Sequence, residues 1–316
     1  MRILVLTWPT NQRDELMTNA RGDLLCPAID GLVDQLVTQG HTLVCVNVAA
    51  DCFDFDPNEL ALPAWASGMQ YVRWSQVQKR DFDLVWHGVK VPTPPPAVDA
   101  IGKIMQDLPP EIRVLNPVQR MKDFTKRTYL TVLQEHNVGA EILDSYPGIE
   151  DENGRFAPKK CHASCQGTFV ALDKRAIRVP MHNKGLGIRN PEGGITLRYY
   201  DTAGWHEPGQ RTFFRLPFAA GKALEGFRYF CPENIVAPKS GNAKRYEPFS
   251  VNYKVGRRLC ISMHKLGVDI AHLEGIELKD GTVRIFDVNP FATAIGRTLT
   301  PISQRIARHI TQVMDL

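Results

Sequence analysis

Three oxygen-bearing side chains, Glu274, Asp287 and Asn289, lie close together in the stretch HLEGIELKDGTVRIFDVNP, residues 272–290. The stretch is typical of two short strands around an Asp-Gly turn, the strongest short-range signal of a β-hairpin. Carboxylate and amide oxygens on neighbouring strands could bind a hard cation, for which Mg²⁺, or Mn²⁺ in its place, is the natural choice. The first question is therefore whether the hairpin brings these side chains face to face.

The turn predicts the register of this hairpin. A two-residue loop of Asp280 and Gly281 makes Lys279 and Thr282 partners. The pairs that follow outward along the strands are Ile276 with Ile285, Glu277 with Arg284, and Glu274 with Asp287. Because side chains alternate in direction along a strand, the two acids share one face with Asn289, and the ion pair predicted between Glu277 and Arg284 lies on the other. Facing carboxylates repel each other, so a bound cation would neutralise them.

Two other interpretations of the hairpin stay open. Its acids could be hydrated on a solvent-facing surface, or a β-bulge could slip the register by one residue. His272, opposite Asn289 in the predicted register, is either a neighbour of the site or a histidine at the end of a strand. The pattern alone does not choose between these interpretations.

The composition is ordinary for a soluble globular chain, and 316 residues are enough for two or three domains. No apolar run reaches the length of a membrane span, and the opening residues lack the long apolar region of a signal peptide. We therefore expect a cytoplasmic protein with no membrane partner. Seven cysteines, an odd number in a long chain, favour reduced thiols over a set of disulfides.

Charge is unevenly distributed along the chain. Residues 1–150 contain 13 Lys and Arg against 19 Asp and Glu, whereas the remainder contains 25 against 15. The basic half is the one expected to contact an anion. We expect nucleotide phosphates rather than nucleic acid, because the sequence lacks basic runs with interleaved aromatic residues and the spacings of DNA-binding motifs. The number of subunits is not specified, and a homodimer stays open.

Strand-like and helix-like segments alternate at the start of the chain and predict an α/β fold, with a small doubly wound unit at residues 1–115. PTPPP, residues 92–96, is interpreted as a stiff surface connector. A helical pattern then begins at Asn116, with core positions predicted at Met121, Phe124, Leu130 and Leu133. Strand-rich sequence, a helix, the hairpin and a final helix follow. The predicted domains are residues 1–115, 116–212 and 213–316, with α+β character in the last two.

These segments resemble the ATP-grasp superfamily, which includes D-alanine–D-alanine ligase, glutathione synthetase and the ribosomal-protein glutamate ligases. LGVDIAHLEGIELKDGTVRIFDVNP is similar to the acid-bearing strands of the last group. The resemblance makes Glu274, Asp287 and Asn289 the Mg²⁺ ligands, and it implies ATP held between two α+β lobes behind an α/β domain. Asp287 stands where the family more often has glutamate, and the shorter acid can still coordinate a metal.

Two further stretches carry the resemblance. In NPVQRMKDFTKRTYLTVLQEHNV, Lys126 matches a lysine that contacts ATP phosphates. FAPKKCHASCQGTFVAL is similar to the segment that supplies a second lysine and a glycine-rich lid, so Lys160 is expected at the phosphates and Gly167 in the lid. His162 and Ser164 belong to the same predicted lid. Cys161 and Cys165 replace the usual proline and glycine there, and a zinc site with His162 is a weak alternative without a fourth ligand.

The adenine and the reacting group are assigned by the same resemblance. The strand FFRLPF is expected to hold adenine through backbone groups near Arg215, Leu216 and Phe218. Arg228, in EGFR, resembles an arginine that steadies the transferred group, and a guanidinium fork suits phosphate or carboxylate. Arg228 and Lys160 are therefore the predicted catalytic residues.

The function implied by the resemblance is ATP-dependent ligation of a carboxylate to an amine through an acyl phosphate. The basic segment at residues 173–211 suggests an acidic substrate, either a small molecule or a peptide. Two alternatives are a phosphotransferase that stops after phosphate transfer and a regulator that binds nucleotide without turnover. The two acids, the asparagine and the two lysines argue against the regulator, because simple binding has no need of that set.

Overall fold

The computed structural model describes residues 1–7, 17–18, 24–25, 36, 38–48, 69–72, 74–77, 82–88, 95–121, 124–143, 170–171, 176–180, 194–198, 200–233, 245–290, 308, 311–312 and 315. The four predicted lid and lysine positions, Lys160, His162, Ser164 and Gly167, lie outside these residues, as do Cys161 and Cys165. Among the helices that are described, none is long and apolar enough to cross a membrane.

A five-stranded parallel sheet forms the first part of the chain. Its strand order is β5-β4-β1-β6-β7, and β2 and β3 form a separate antiparallel pair. The strands are β1 (Arg2–Thr7), β2 (Met17–Thr18), β3 (Leu24–Leu25), β4 (Thr42–Asn47), β5 (Met69–Val72), β6 (Leu84–Gly88) and β7 (Arg113–Leu115). Ile3, Leu4, Val5 and Leu6 are all fully buried, as expected for a parallel strand covered on both faces. The predicted α/β unit is confirmed, whereas edge strand β5 was not anticipated.

Helices on this sheet begin where local sequence favours a first turn. Helix α1 (Pro95–Gln106) starts inside the predicted connector PTPPP, because proline is well tolerated at the first helical position. A short 3₁₀ helix spans Trp74–Gln76. The interpretation of residues 92–96 as a surface connector is therefore wrong for Pro95 and Pro96.

The helical pattern after Asn116 forms two helices, not one. These are α2 (Val118–Met121) and α3 (Lys126–Glu135). Thr125 begins the second helix, because its side chain accepts a hydrogen bond from Thr128 N at 3.2 Å. The four predicted core positions, Met121, Phe124, Leu130 and Leu133, are all buried, which confirms them.

Two antiparallel sheets follow. The first is three-stranded, with order β10-β9-β8, and contains β8 (Val170–Ala171), β9 (Ala176–Pro180) and β10 (Gly194–Arg198). The second has the order β14-β13-β11-β15-β16, and β12 pairs with β11. Its elements are β11 (Gln210–Ala219), β12 (Lys222–Ala223), β13 (Gly226–Pro232), β14 (Arg245–Phe249), helix α4 (Tyr253–Lys265), β15 (Ile270–Glu277) and β16 (Val283–Asn289).

Helix α3 packs beside the last strand of the large sheet. Ala140 N donates to Ile285 O at 2.7 Å, and Ile285 N donates to Val138 O at 2.7 Å, so the segment after the helix extends the sheet edge. Gly139 permits this approach, because a Cβ there would lie 2.8 Å from Leu133 Cβ. This packing brings the first turn of α3 against the hairpin.

Candidate active site

The two predicted acids face each other on the hairpin. Glu274 of β15 pairs directly with Asp287 of β16, and His272 pairs with Asn289, which confirms the predicted partners. Residues two apart on a strand point to the same face, so all four side chains lie on one face of the sheet. We call these four residues the acid cluster.

The turn itself differs from the prediction. Leu278 N donates to Thr282 O at 2.7 Å and Gly281 N donates to Leu278 O at 2.9 Å, so the loop has three residues, Lys279 to Gly281. Gly281 has φ +77°, the left-handed conformation that ends such a loop. The predicted two-residue loop is therefore wrong.

The strand pairs next to the turn are wrong for the same reason. Ile276 pairs with Arg284 and not with Ile285, and Glu277 pairs with Val283 and not with Arg284. Arg284 does not form the predicted ion pair with Glu277, and its Nη1 donates to Asn137 O at 2.9 Å.

A β-bulge restores the predicted register before the acid cluster is reached. The register shifts between Glu274 and Gly275, where Gly275 pairs with Ile285 and Glu274 pairs with Asp287, leaving Phe286 as the extra residue. Gly275 is required opposite this bulge, because a Cβ there would lie 2.5 Å from Arg284 O and 2.6 Å from Phe214 Cζ. The longer loop and the bulge cancel, so the acids meet as predicted, although by a different route.

Asp287 is held by three donors. Lys126 Nζ lies 2.8 Å from Oδ1, Tyr129 OH donates to Oδ1 at 2.7 Å, and Asn289 Nδ2 donates to Oδ2 at 3.1 Å. Burial opposes ionisation of Asp287, but the charge of Lys126 and the hydrogen bonds from Lys126 and Tyr129 outweigh it, so its pKa is lowered. Burial and the nearby Asp287 raise the pKa of Tyr129 well above its ordinary value, so its hydroxyl stays a donor.

Glu274 is held by Arg215. Arg215 Nη2 lies 2.5 Å from Glu274 Oε1, and His272 Nε2 lies 3.4 Å from the same oxygen. Burial alone would lower the pKa of Arg215, but Glu274, Tyr229 and Asp287 together outweigh it and raise the pKa above its ordinary value. The Nε of Arg215 is buried without a hydrogen-bond partner among the residues that the structure describes. Each acid of the pair is therefore matched by one cationic side chain.

The strand that carries Arg215 lies between β13 and β15 in the large sheet. Leu216 pairs with Leu273 of β15, and Phe218 pairs with Ala271 on one side and Ala223 on the other. Strand β11 is interior, so its backbone groups serve the sheet, and the side chains of Leu216 and Phe218 are buried in the core. This strand pairing does not favour the expected adenine contact from the backbone, which stays a prediction, and Arg215 reaches the acid cluster through its side chain.

Arg228 lies on the opposite face of the sheet from the acid cluster. Arg215 pairs with Phe227, so the next residue, Arg228, points the other way. Its guanidinium forms an ion pair with Glu277 and lies 4.9 Å from the centre of the Phe249 ring. The structure brings Arg215, and not Arg228, to the predicted metal ligands.

Two members of the site were missed by sequence reasoning. Tyr129 is three residues after Lys126 on α3, a spacing that places both on one helical face, so the position of Lys126 could have indicated it. Arg215 was noted only for its backbone.

The predicted metal ligands are two carboxylates, Glu274 and Asp287, and one amide, Asn289. In the described part of the chain, no three or more His, Cys, Asp or Glu residues form a group suited to a metal ion.

The parallel sheet, the antiparallel sheets and the acid-bearing hairpin together give a fold similar to that of solved ATP-grasp ligases. The ATP-grasp ligase PsnB complexed with precursor peptide PsnA2 and AMPPNP is similar, with a TM-score of 0.54 at 12% identity, covering 99% of this chain and 97% of that one. PsnB with a phosphomimetic variant of its minimal precursor, Mg and ADP gives a TM-score of 0.53 at 11% identity, covering 98% of both chains. No protein-family model and no curated protein matches the sequence. The predicted fold class is thereby confirmed.

Proposed function

We propose that this chain is an ATP-dependent carboxylate–amine ligase. A carboxylate oxygen attacks the terminal phosphorus of ATP and ADP leaves; an amine then attacks the acyl phosphate, a C–N bond forms, and phosphate leaves with the loss of a proton from the amine. The observation that supports this most is the facing of Glu274 and Asp287, with buried Lys126 beside Asp287 and partly buried Arg215 beside Glu274. Two acids on one sheet face can hold a divalent cation, and the two cationic side chains beside them can stabilise phosphate charge directly.

The donor set of the acid cluster fits Mg²⁺. Glu274, Asp287 and Asn289 offer two carboxylates and an amide, and Mg²⁺ usually takes one or two carboxylates together with water and substrate phosphates. When bound, the ion would neutralise negative charge on the phosphate that is transferred.

Residues of the chain itself would align the phosphate. Lys126, at the start of α3, brings an ammonium group to the edge of the acid cluster. Arg215 brings a guanidinium beside Glu274, and such a fork of donors suits the oxygens of a phosphate or carboxylate. We therefore assign to Arg215 the role first expected of Arg228. Lys160 remains the proposed second lysine.

The proposed lid would exclude water from the reaction. His162, Ser164 and Gly167 would close over the phosphates, so that an acyl phosphate survives until the amine attacks. Adenine contacts are not assigned, because the backbone of β11 is used in the sheet.

A peptide is the substrate we favour. PsnB, which has the same fold, was solved with precursor peptides, and the hairpin sequence resembles that of ribosomal-protein glutamate ligases, which also modify a protein chain. The basic balance of residues 151–316 favours an acidic peptide. The proposal includes a cytoplasmic location, where ATP and Mg²⁺ are abundant.

Nucleotide binding tests the first half of the proposal without knowledge of the substrate. Calorimetry with AMPPNP should show binding that requires Mg²⁺, and Glu274→Gln should weaken it by about tenfold or more, because a metal ligand is lost. Glu277→Gln is the matched control, since Glu277 lies on the same strand but points to the other face. Equal affinity in both variants would overturn the metal assignment.

Product analysis tests the second half. The chain is incubated with ATP, Mg²⁺ and Glu- or Asp-containing peptides, with and without amines, and with hydroxylamine to trap an acyl phosphate as a hydroxamate. A ligase gives ADP and free phosphate only when acid and amine are both present, together with a hydroxamate in the trapping reaction. A stable phosphorylated peptide would instead show the phosphotransferase, and Mg·AMPPNP binding without any turnover would show the regulator.

A further inference from the structure

Asn116 joins the N-terminal sheet to the hairpin that carries the acid cluster. It directly follows β7, is completely buried, and has φ 52°, a left-handed conformation that asparagine adopts more readily than most residues. Its backbone N donates to Asp269 Oδ2 at 2.8 Å. Neither the fold resemblance nor the proposed chemistry gives this residue a role.

The side chain of Asn116 uses its whole hydrogen-bonding capacity on the hairpin. Its Oδ1 accepts from Asp269 N at 2.8 Å and from Ile270 N at 3.0 Å. Its Nδ2 donates to Ile270 O at 2.8 Å and to Pro290 O at 2.6 Å. Two donors and two acceptor positions are all that an amide side chain offers. The amide therefore binds both strands at once.

These contacts are at the open end of the hairpin, away from the loop. Ile270 is the first residue of β15, and Pro290 directly follows the last residue of β16. The bulge at Phe286 lies between the loop and the acid cluster, so the loop does not fix the strand register on the far side of the bulge. A second constraint must act at the open end.

We infer that Asn116 is a positioning residue for the proposed metal site: by linking Ile270 to Pro290, it sets the separation of Glu274 from Asp287 and Asn289. The inference rests on the proposed function for the identity of the ligand, but not for the geometry. Groups that orient metal ligands typically change metal affinity by about 10- to 100-fold when they are removed.

The test uses a glycine that keeps the backbone conformation and removes only the amide. Asn116→Gly is compared with Asn137→Gly, because Asn137 is also left-handed, with φ 57°, but is exposed after α3. Both are titrated with Mg²⁺ in the presence of AMPPNP, at a temperature where circular dichroism shows each fully folded. The half-saturating Mg²⁺ concentration should rise about tenfold in Asn116→Gly and stay unchanged in Asn137→Gly. A wild-type Mg²⁺ dependence in folded Asn116→Gly would overturn the inference, since loss of stability alone would not shift it.

Hydrogen exchange separates failure of this inference from failure of the proposed function. Exchange should increase at residues 270–274 and 287–289 of Asn116→Gly, and not in the loop at 279–282. If the wild-type chain does not bind Mg·AMPPNP, the proposed function fails, and the exchange pattern alone decides the role of Asn116.

A second variant applies if Asn116→Gly does not fold. Asp269→Ala removes one hydrogen bond to Asn116, and it should shift the half-saturating Mg²⁺ concentration and the exchange rates in the same direction by about twofold. Unchanged exchange in that variant also counts against the inference.

Discussion

Lys126 Nζ lies 2.8 Å from Asp287 Oδ1, and only 2% of the lysine side chain is exposed. Because Tyr129 OH donates to the same oxygen, the first turn of α3 contacts the hairpin through one carboxylate. Asp287 is thus both a proposed metal ligand and part of the packing between helix and sheet. A substitution there will change stability as well as chemistry.

The ion pair predicts a double-mutant cycle. Asp287→Asn leaves the buried ammonium of Lys126 without this carboxylate and should cost about 3 kcal/mol of the free energy of unfolding. Lys126→Met should cost less, because Tyr129 and Asn289 still donate to the carboxylate. The double variant should lose less unfolding free energy than the sum of the losses in the two single variants, and urea denaturation can measure this difference. Additive losses would contradict a direct interaction, and all three variants should lack turnover.

The two arginines should differ in their effects on ligand binding. Arg215→Met removes the guanidinium beside Glu274 and should weaken Mg·AMPPNP binding by about tenfold or more, because hydrogen bonds to charged groups are lost. Arg228→Met should affect binding less, since Arg228 is paired with Glu277 on the opposite face. Calorimetry of both variants decides between them. A larger effect from Arg228 would restore the expectation drawn from the sequence.

Gly275 should not tolerate a side chain. In Gly275→Ala the new Cβ would meet Arg284 O and Phe214 Cζ at 2.5 and 2.6 Å, so the strands must separate at the bulge. We expect a loss of about 1 to 3 kcal/mol in the free energy of unfolding, with weaker Mg·AMPPNP binding. Gly102→Ala is the control, because a Cβ on that helical residue meets no atom within 4 Å and should stabilise the chain slightly. Equal stability of the two variants would contradict the close packing of Gly275 opposite the bulge.

His87 should make stability fall in acid. It is buried at the end of β6, its Nδ1 accepts from Val118 N at 2.9 Å, and burial lowers its pKa from 6.5 to about 4. Between these values the unfolded chain takes up a proton that the folded chain does not, so this contribution is complete above about pH 6.5 and is lost as the pH falls towards 4. The total is about 3 kcal/mol at 1.36 kcal/mol per pKa unit.

The control for this prediction is His87→Asn, whose side-chain oxygen can still accept from Val118 N. Urea denaturation from about pH 7.5 to 4.5 should give a shallower pH dependence for the variant than for the wild type, because one titrating group is removed. Carboxylates that titrate in the same range contribute equally to both chains. Identical slopes would show that His87 is accessible to protons when folded.

The acid pair could be predicted because strand alternation and the Asp-Gly signal are local properties. The loop length and the bulge could not, because they depend on the packing of Gly275 against Phe214 and of Phe286 near Phe213, whose ring centres lie 6.4 Å apart. Two errors of one residue cancelled. The pairing of Glu274 with Asp287 therefore agrees with the prediction only because the longer loop and the bulge compensate for each other.

The assignments that the strand pairing does not favour depend on long-range contacts. Whether Arg215 or Arg228 points at Glu274 depends on the neighbours of β11 and β13, which no local pattern specifies. The same holds for the backbone of Leu216, which pairs with Leu273 of β15. The N-terminal sheet was easier to predict because its strands are continuous apolar runs, whereas the short edge strand β5 gives a weaker signal.

The matched charges of the acid cluster bear on the order in which ligands can arrive. A divalent ion entering alone would meet two carboxylates that Lys126 and Arg215 already neutralise. The ion can bind these carboxylates only when Lys126 and Arg215 pair with another anion. A polyphosphate chain is an anion that can pair with both. Metal and nucleotide would then bind as a single complex, and the nucleotide-free protein would bind free calcium or iron ions only weakly.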